Sequence, residues 1–217
     1  MDLYLNFHAH REAVPGETVI RNLLLPAGKD EEDAITSGFF SAGIHPWHLP
    51  PQADEALRQL ARVAAHPRCI AIGETGLDKI CPTPFALQLA LFERQLALAG
   101  TTGRPAVIHC VKAWDELLAT AKRTRPAIAC VIHGFRGKPR LAESLLTHGF
   151  YLSFGPRFNP ESLRLCPPGR LFLETDEDPH SVDALYHTAA SLRGCSPESL
   201  NAQCLQNLRD ITQAVKK

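Results

Sequence analysis

Alternation limits the folds open to this chain more than any other feature. Eight short apolar runs recur along it: LYLNF (3–7), TVIRNLLL (18–25), GFFSAGI (38–44), CIAIGE (69–74), PAVIHC (105–110), IACVIH (128–133), FYLSFG (150–155) and RLFLET (170–175). Several are apolar almost throughout, as expected of parallel strands covered on both faces. Amphipathic segments separate most of them. Helical spacing predicts helices over 53–65, over 83–100 with Thr83 as N-cap, Pro84 in the first turn and Gly100 at the end, over 114–123, over 139–149 ending at Gly149, over 181–194, and from Ser196-Pro197 to about residue 215. Strand–helix alternation calls for a parallel sheet, and eight strands predict an α/β fold of the TIM-type (β/α)8 barrel class. The 217 residues suit one barrel domain spanning 1–217.

The first part of the barrel is expected to be irregular. Neither HAHREAVPGE nor PAGKDEEDAITS reads as a helix, one being too short and the other too polar, although a parallel crossover ordinarily takes a dozen residues or more. Helices after strands 1 and 2 should therefore be reduced. No internal repeat, low-complexity tract or linker interrupts the pattern.

Composition excludes several classes of function. Lys+Arg and Asp+Glu both number 23, so the formal net charge is zero and the chain is neither a basic nucleic-acid coat nor an acidic tail. A nucleic-acid substrate would have to be gripped locally, through few phosphates. Seven cysteines, at 69, 81, 110, 130, 166, 195 and 204, form no C-x-x-C pair, which predicts reduced, packed thiols and a cytoplasmic location. A signal peptide and a membrane-spanning run are both absent from the reading, so no membrane partner is expected, and the chain is expected as a monomer or weak oligomer.

Chemistry in a parallel barrel gathers at the C-terminal ends of the strands. Here those ends carry His8 and His10 on strand 1, His45 after strand 3, Glu74 and Asp78 around strand 4, His109 on strand 5, His133 with Arg136 and Lys138 after strand 6, and Glu174, Asp176 and Asp178 at strand 8. Each has an ordinary structural explanation when taken singly: a satisfied core histidine, a turn acid, a helix cap. Four histidines, one glutamate and one aspartate at the ends of five strands point instead to divalent metal. Residues two apart on a strand face one side, so His8 and His10 converge. A two-ion centre needs a bridging carboxylate, several imidazoles and room for water. Glu74 suits the bridge, His8, His10 and Asp176 suit one ion, and His109 and His133 the other. Asp176 is also placed to take a proton from an acidified water, making Asp176 and Glu74 the expected catalytic residues. Glu174 points the opposite way and is expected to be structural or to support a ligand.

H-x-H on the first strand, then SAGIHPWHL, GETGLD, VIHCVKAWDEL, VIHGFRG and LFLETDEDP, in this order and over about residues 3 to 210, resemble the TatD family of metal-dependent hydrolases, within the amidohydrolase-like barrels. The resemblance implies a TIM barrel with one or two divalent ions (zinc, magnesium or manganese), ligated by His8, His10, Glu74, His109, His133 and Asp176. It also implies deoxyribonuclease activity, as in family members that act as 3′-to-5′ exonucleases on single strands. The chain departs from the family pattern in five places: Asn6 stands where an aspartate is usual, Lys79 where an aromatic is common, Lys112 only loosely matches the family arginine, the helices after strands 1 and 2 are reduced, and the basic Asn-Pro segment after the last aspartate is missing.

DNA is thus the expected substrate. His45, Lys112, Arg136, Lys138 and Arg157 are expected to contact it, with Trp47, Trp114 or Phe135 able to stack a base. Hydrolysis of a small-molecule amide or ester at the same metals is the alternative, slightly favoured by the shortened cleft segments. A non-catalytic metal-binding scaffold is disfavoured by the presence of both the bridging glutamate and the base. A basic groove leading to the centre would separate the first two readings.

Overall fold

A computed structural model describes residues 3–25 and 38–213. The eight expected strands are all present, as β1 (Tyr4–Ala9), β2 (Glu17–Leu24), β3 (Phe39–Gly43), β4 (Cys69–Asp78), β5 (Ala106–Val111), β6 (Cys130–Ile132), β7 (Tyr151–Phe154) and β8 (Leu171–Leu173). They pair in sequence order, every pair parallel. An isolated parallel bridge between Ala9 and Asp176 joins the last strand back to the first. Seven helices accompany them among the described residues: α1 (Ala53–Ala64), α2 (Phe85–Thr102), α3 (Trp114–Thr124), α4 (Pro139–Thr147), α5 (Pro160–Leu165), α6 (Asp183–Arg193) and α7 (Pro197–Gln213). Strand and helix residues such as Leu60, Ile72, Phe92, Val131, Leu145 and Phe172 make one continuous buried core.

Between β1 and β2 there is no helix. Residues 10–16 connect them, and a chain of that length reaches roughly 23 Å when extended, little more than the roughly 20 Å that a six-residue strand spans. The connection must therefore run straight back along the barrel. Buried Glu17 pins it by accepting from the Val14 N–H (3.0 Å), from the Arg11 guanidinium and from the Val182 N–H (3.2 Å). The other expected reduction, after β2, falls on residues 26–37, outside the described residues.

Helix ends differ from expectation in detail. α2 begins at Phe85 with Pro84 before it and runs through Gly100 to a left-handed Gly103 (φ 64°). Gly100 has open space around it and one glycine does not stop an apolar helix, so the left-handed residue three positions later ends it. α5 was not foreseen, being too short for periodicity, although Asn159-Pro160 is a capping signal: Asn159 Oδ1 accepts from the Glu161 and Ser162 N–H groups.

Buried amides on the helices hold the strand ends. Gln95 of α2 accepts from the Ile44 N–H (2.8 Å) and donates to the Ile44 carbonyl (3.0 Å), just before His45. Gln88, two turns earlier on the same face, does the same for Asp78 at 2.7 and 3.0 Å. On α7, Asn201 pairs with Leu5 N–H and Leu3 C=O beside β1, and Asn207 donates to Leu171 C=O on β8. These side chains satisfy backbone groups that a parallel sheet leaves open where a crossover is short or a strand ends.

Candidate metal centre

Glu74 lies at the middle of the cluster at the C-terminal end of the barrel. β4 reaches it through a close approach to β5: a Cβ on Gly76 (φ 151°) would stand 1.9 Å from the His109 carbonyl oxygen, so only glycine allows the strand to continue to Asp78. The backbone N–H of Glu74 donates to Asn22 Oδ1 (2.9 Å), and Asn22 Nδ2 donates to Glu74 Oε2 (3.3 Å). Asn22, on β2, carries no signal in the sequence beyond being polar in an apolar strand.

Its two carboxylate oxygens divide the imidazoles. Oε2 faces His8 Nε2 at 3.5 Å and His10 Nε2 at 3.4 Å. Oε1 faces His133 Nε2 at 2.7 Å, His109 Nδ1 at 2.9 Å and His45 Nε2 at 3.1 Å. Asp176 Oδ1 completes the first group, 3.9 Å from His8 Nε2 and 3.5 Å from His10 Nε2. Donor atoms lie within 4.8 Å of one another in three sets: His8, His10 and Asp176; His8, Glu74 and His133; and His45, Glu74 and His109. All six residues expected as ligands thus come together, although they lie on or just after five different strands.

Carboxylates stand behind two of the imidazoles. Asp78 Oδ2 is 3.0 Å from His109 Nε2, and Glu174 Oε1 is 3.3 Å from His133 Nδ1. With those nitrogens donating, His109 Nδ1 and His133 Nε2 would be free to turn lone pairs to a bound cation, the arrangement found behind metal-bound histidines; without one they meet Glu74 Oε1 as donors. Glu174 is itself held by the Gly134 N–H (2.6 Å) and the Ser153 hydroxyl. His45 is set the other way. Its Nδ1 accepts the Trp47 N–H (3.2 Å), so Nε2 keeps its hydrogen and meets Glu74 as a donor. The supporting role of Asp78 was not assigned from sequence; its position four residues after Glu74 on one strand is the signal that could have found it.

His8 gives the clearest test of whether a cation fits. It is fully buried, and neither ring nitrogen has a hydrogen-bond partner among the described residues. Buried polar atoms are rarely left unpaired, and a divalent cation among these N and O donors would pair one of them. Without a cation the imidazoles compensate the carboxylates. Hydrogen bonds to Asp176 and Glu74 push His10 up to about 9. Burial opposes ionisation of Glu74, but His133, His10 and His109 overcome it and hold the carboxyl well below its usual range. Asp176 is likewise lowered, against burial, chiefly by His10. The carboxylates stay charged and draw in positive charge.

The cleft above the centre has a volume of about 590 Å³. Lys112, Arg136 and Arg157 line it, all exposed and none ion-paired among the described residues. Lys112 adopts a left-handed backbone (φ 55°) directly after β5. Lys138, expected with them, does not line the cleft; it is exposed in the N-cap position of α4. Phe135 is buried and Trp114 half-buried against it, whereas Trp47 is exposed at the lip.

The family model for TatD-related DNases matches residues 29–213. The chain belongs to the TatD family. A relative from Erwinia billingiae named 3′-5′ ssDNA/RNA exonuclease TatD is 30% identical over 200 residues, covering 79% of this chain and 76% of that protein. Human 3′-5′ RNA nuclease TATDN2 is 34% identical over 158 residues, 67% of this chain but 20% of that protein. Among solved structures, the TatD homologue YJJV of Escherichia coli superposes with a TM-score of 0.83 at 22% identity, covering 97% of this chain and 98% of that one, a likeness of fold. TatD membership makes the protein a metal-dependent hydrolase. No helix among the described residues is long and apolar enough to cross a membrane.

Proposed function

We propose that this TatD protein removes nucleotides from the 3′ end of single-stranded DNA at a centre of one or two divalent cations. The observation that carries the reading is a glutamate-centred cluster of metal-ligating side chains at the floor of a cleft walled by three cations that are unpaired among the described residues. His8, His10 and Asp176 would hold one ion and His109 and His133 the other, with Glu74 between them. Divalent metal bound there lowers the pKa of a water and draws charge from a phosphate. Asp176, ionised and partly open to the cleft, accepts the proton of the attacking water. Lys112, Arg136 and Arg157 hold phosphate oxygens, and they do so locally, which suits a neutral protein. His45 gives its Nε2 hydrogen to Glu74 and so helps hold that carboxylate in place. Asp78 and Glu174 keep two imidazoles in the required tautomer. The printed activities of the bacterial and human relatives support nucleic acid as substrate.

Nucleotide release from a 3′-labelled single-stranded oligomer tests this, with magnesium, manganese or zinc added in parallel and Asp176→Asn compared at equal metal loading. Metal-dependent release that the variant loses is the expected result. A folded, metal-loaded wild type that releases nothing from DNA overturns the DNA assignment and directs the assay to RNA and then to small esters and amides.

A further inference from the structure

Trp47 has a constrained position and an open surface. It sits in a single 3-10 turn, Pro46–His48, at the lip of the cleft, and 45% of its surface is exposed. Its backbone N–H is held by His45 Nδ1. Its indole N–H, the side chain's only donor, is taken at 2.7 Å by Asp78 Oδ2, a carboxylate that is 1% exposed. The same oxygen meets His109. Ile80, 56% exposed, follows Asp78 and donates its N–H to the other carboxylate oxygen at 2.8 Å, while Cys81 packs against the Pro46 carbonyl. A large aromatic ring is thus pinned at its backbone and its polar edge. It has no donor left to offer, and it lines the same cleft as His45, Glu74 and His109.

We propose that Trp47 is the platform on which an unpaired nucleobase of the substrate strand stacks, without preference among bases. The proposal rests on the nuclease reading. A ring whose N–H is already satisfied can recognise a base only through its π face, and every base has one. The two other aromatics near the cleft are poorly suited: Phe135 is 1% exposed, and Trp114 packs edge-on against it with centroids 6.3 Å apart. The link through Asp78 places the platform in fixed register with His109. A base seated on Trp47 therefore locates the neighbouring phosphate relative to the centre. The cations Arg136 and Arg157 also line an adjoining space of about 290 Å³ in which Trp47 takes no part. The base on Trp47 and the phosphates at these arginines accordingly occupy different parts of the cleft.

The chain has two tryptophans, so Trp114→Phe leaves Trp47 as the sole indole fluorophore. That variant, loaded with divalent metal, is titrated with end-labelled, hydrolysis-resistant phosphorothioate oligothymidylate and with the same oligomer made abasic at its last two 3′ positions. Anisotropy of the label reports binding; indole emission reports stacking. Quenching by the base-bearing strand and not by the abasic one is the expected result. Binding without base-dependent quenching overturns the platform and leaves the nuclease reading intact, whereas no binding of either strand overturns both. Kinetics then separate contact from support. Trp47→Ala should raise KM for the base-bearing strand about tenfold, the scale of one lost stack, and leave KM for the abasic strand unchanged, with Trp47→Phe restoring most of the loss. A fall in kcat that is equal for both strands would mark Trp47 as a support for Asp78 alone and overturn the proposal.

Discussion

Asp176 and Ala9 form the bridge that joins the last strand to the first. The Asp176 N–H donates to the His8 carbonyl at 3.0 Å, and its own carbonyl accepts the His10 N–H at 3.1 Å. Asp176 does this with a left-handed backbone (φ 57°), uncommon for a residue other than glycine. Barrel closure and assembly of the first ligand group are therefore one event: the backbone that seals the sheet is flanked by the two imidazoles and carries the carboxylate. A strained conformation held at a functional position costs of order 1–3 kcal/mol and persists because its surroundings demand it.

Divalent metal should stabilise the fold. Binding to the native state alone adds about 2.7 kcal/mol at a hundredfold excess over Kd. Calorimetric Tm should rise on adding manganese or zinc and fall back with a chelator. His8→Asn should lose most of that rise, because one face of the site then lacks its imidazole.

Gly76→Ala should be severe. The new Cβ would overlap the His109 carbonyl at 1.9 Å, at a backbone angle that alanine avoids. We expect a loss of more than about 3 kcal/mol, read by urea unfolding, or failure to accumulate as soluble protein. Gly100→Ala, at an exposed helical position with open space, should instead stabilise by up to about 1 kcal/mol.

Gln95→Leu should cost about 1–3 kcal/mol in denaturant unfolding, although it makes α2 more apolar. Both the N–H and the carbonyl of Ile44 would be left without their partner in a buried setting. Since His45 follows directly, kcat/KM should fall along with stability.

Acid should weaken the β1–β2 connection through Glu17. Burial favours the protonated carboxyl, but Arg11 and the N–H groups of Val14 and Val182 outweigh it and hold Glu17 below its ordinary value of 4.5. A folded pKa below the unfolded one gives stability that is fully present above about 4.5 and is lost as pH falls through the folded value. Glu17→Gln should be less stable than wild type at pH 7, and the gap should narrow in unfolding curves recorded below pH 4. A gap that is constant with pH would contradict the assignment.

The strands were readable because a buried parallel strand is an apolar run, a property of consecutive residues. Continuation of β4 from Glu74 to Asp78 was not, since it depends on Gly73 and Gly76 meeting the backbone of β5. α5 escaped because six residues carry too little periodicity, and Gly100 misled because a glycine ends a helix only when the chain turns left-handed there. Among site residues, the six expected ligands were legible as polar groups ending apolar runs. Asn22, Gln88, Gln95 and the role of Asp78 were hidden, since an amide in a strand or helix acquires meaning only from the backbone group it meets.

By itself the sequence determined an eight-stranded α/β barrel, the set of side chains able to bind metal, and membership of a hydrolase family. Periodicity and residue chemistry are local, and they survive without coordinates. Tertiary structure alone decided how those side chains divide the work. It turned His109 and His133 toward the centre by placing Asp78 and Glu174 behind them, turned His45 into a donor through the Trp47 N–H, left Lys138 out of the cleft, and set Trp47 at its lip. A tautomer or an exposed ring face depends on neighbours brought from elsewhere in the chain, and no pattern of consecutive residues encodes them.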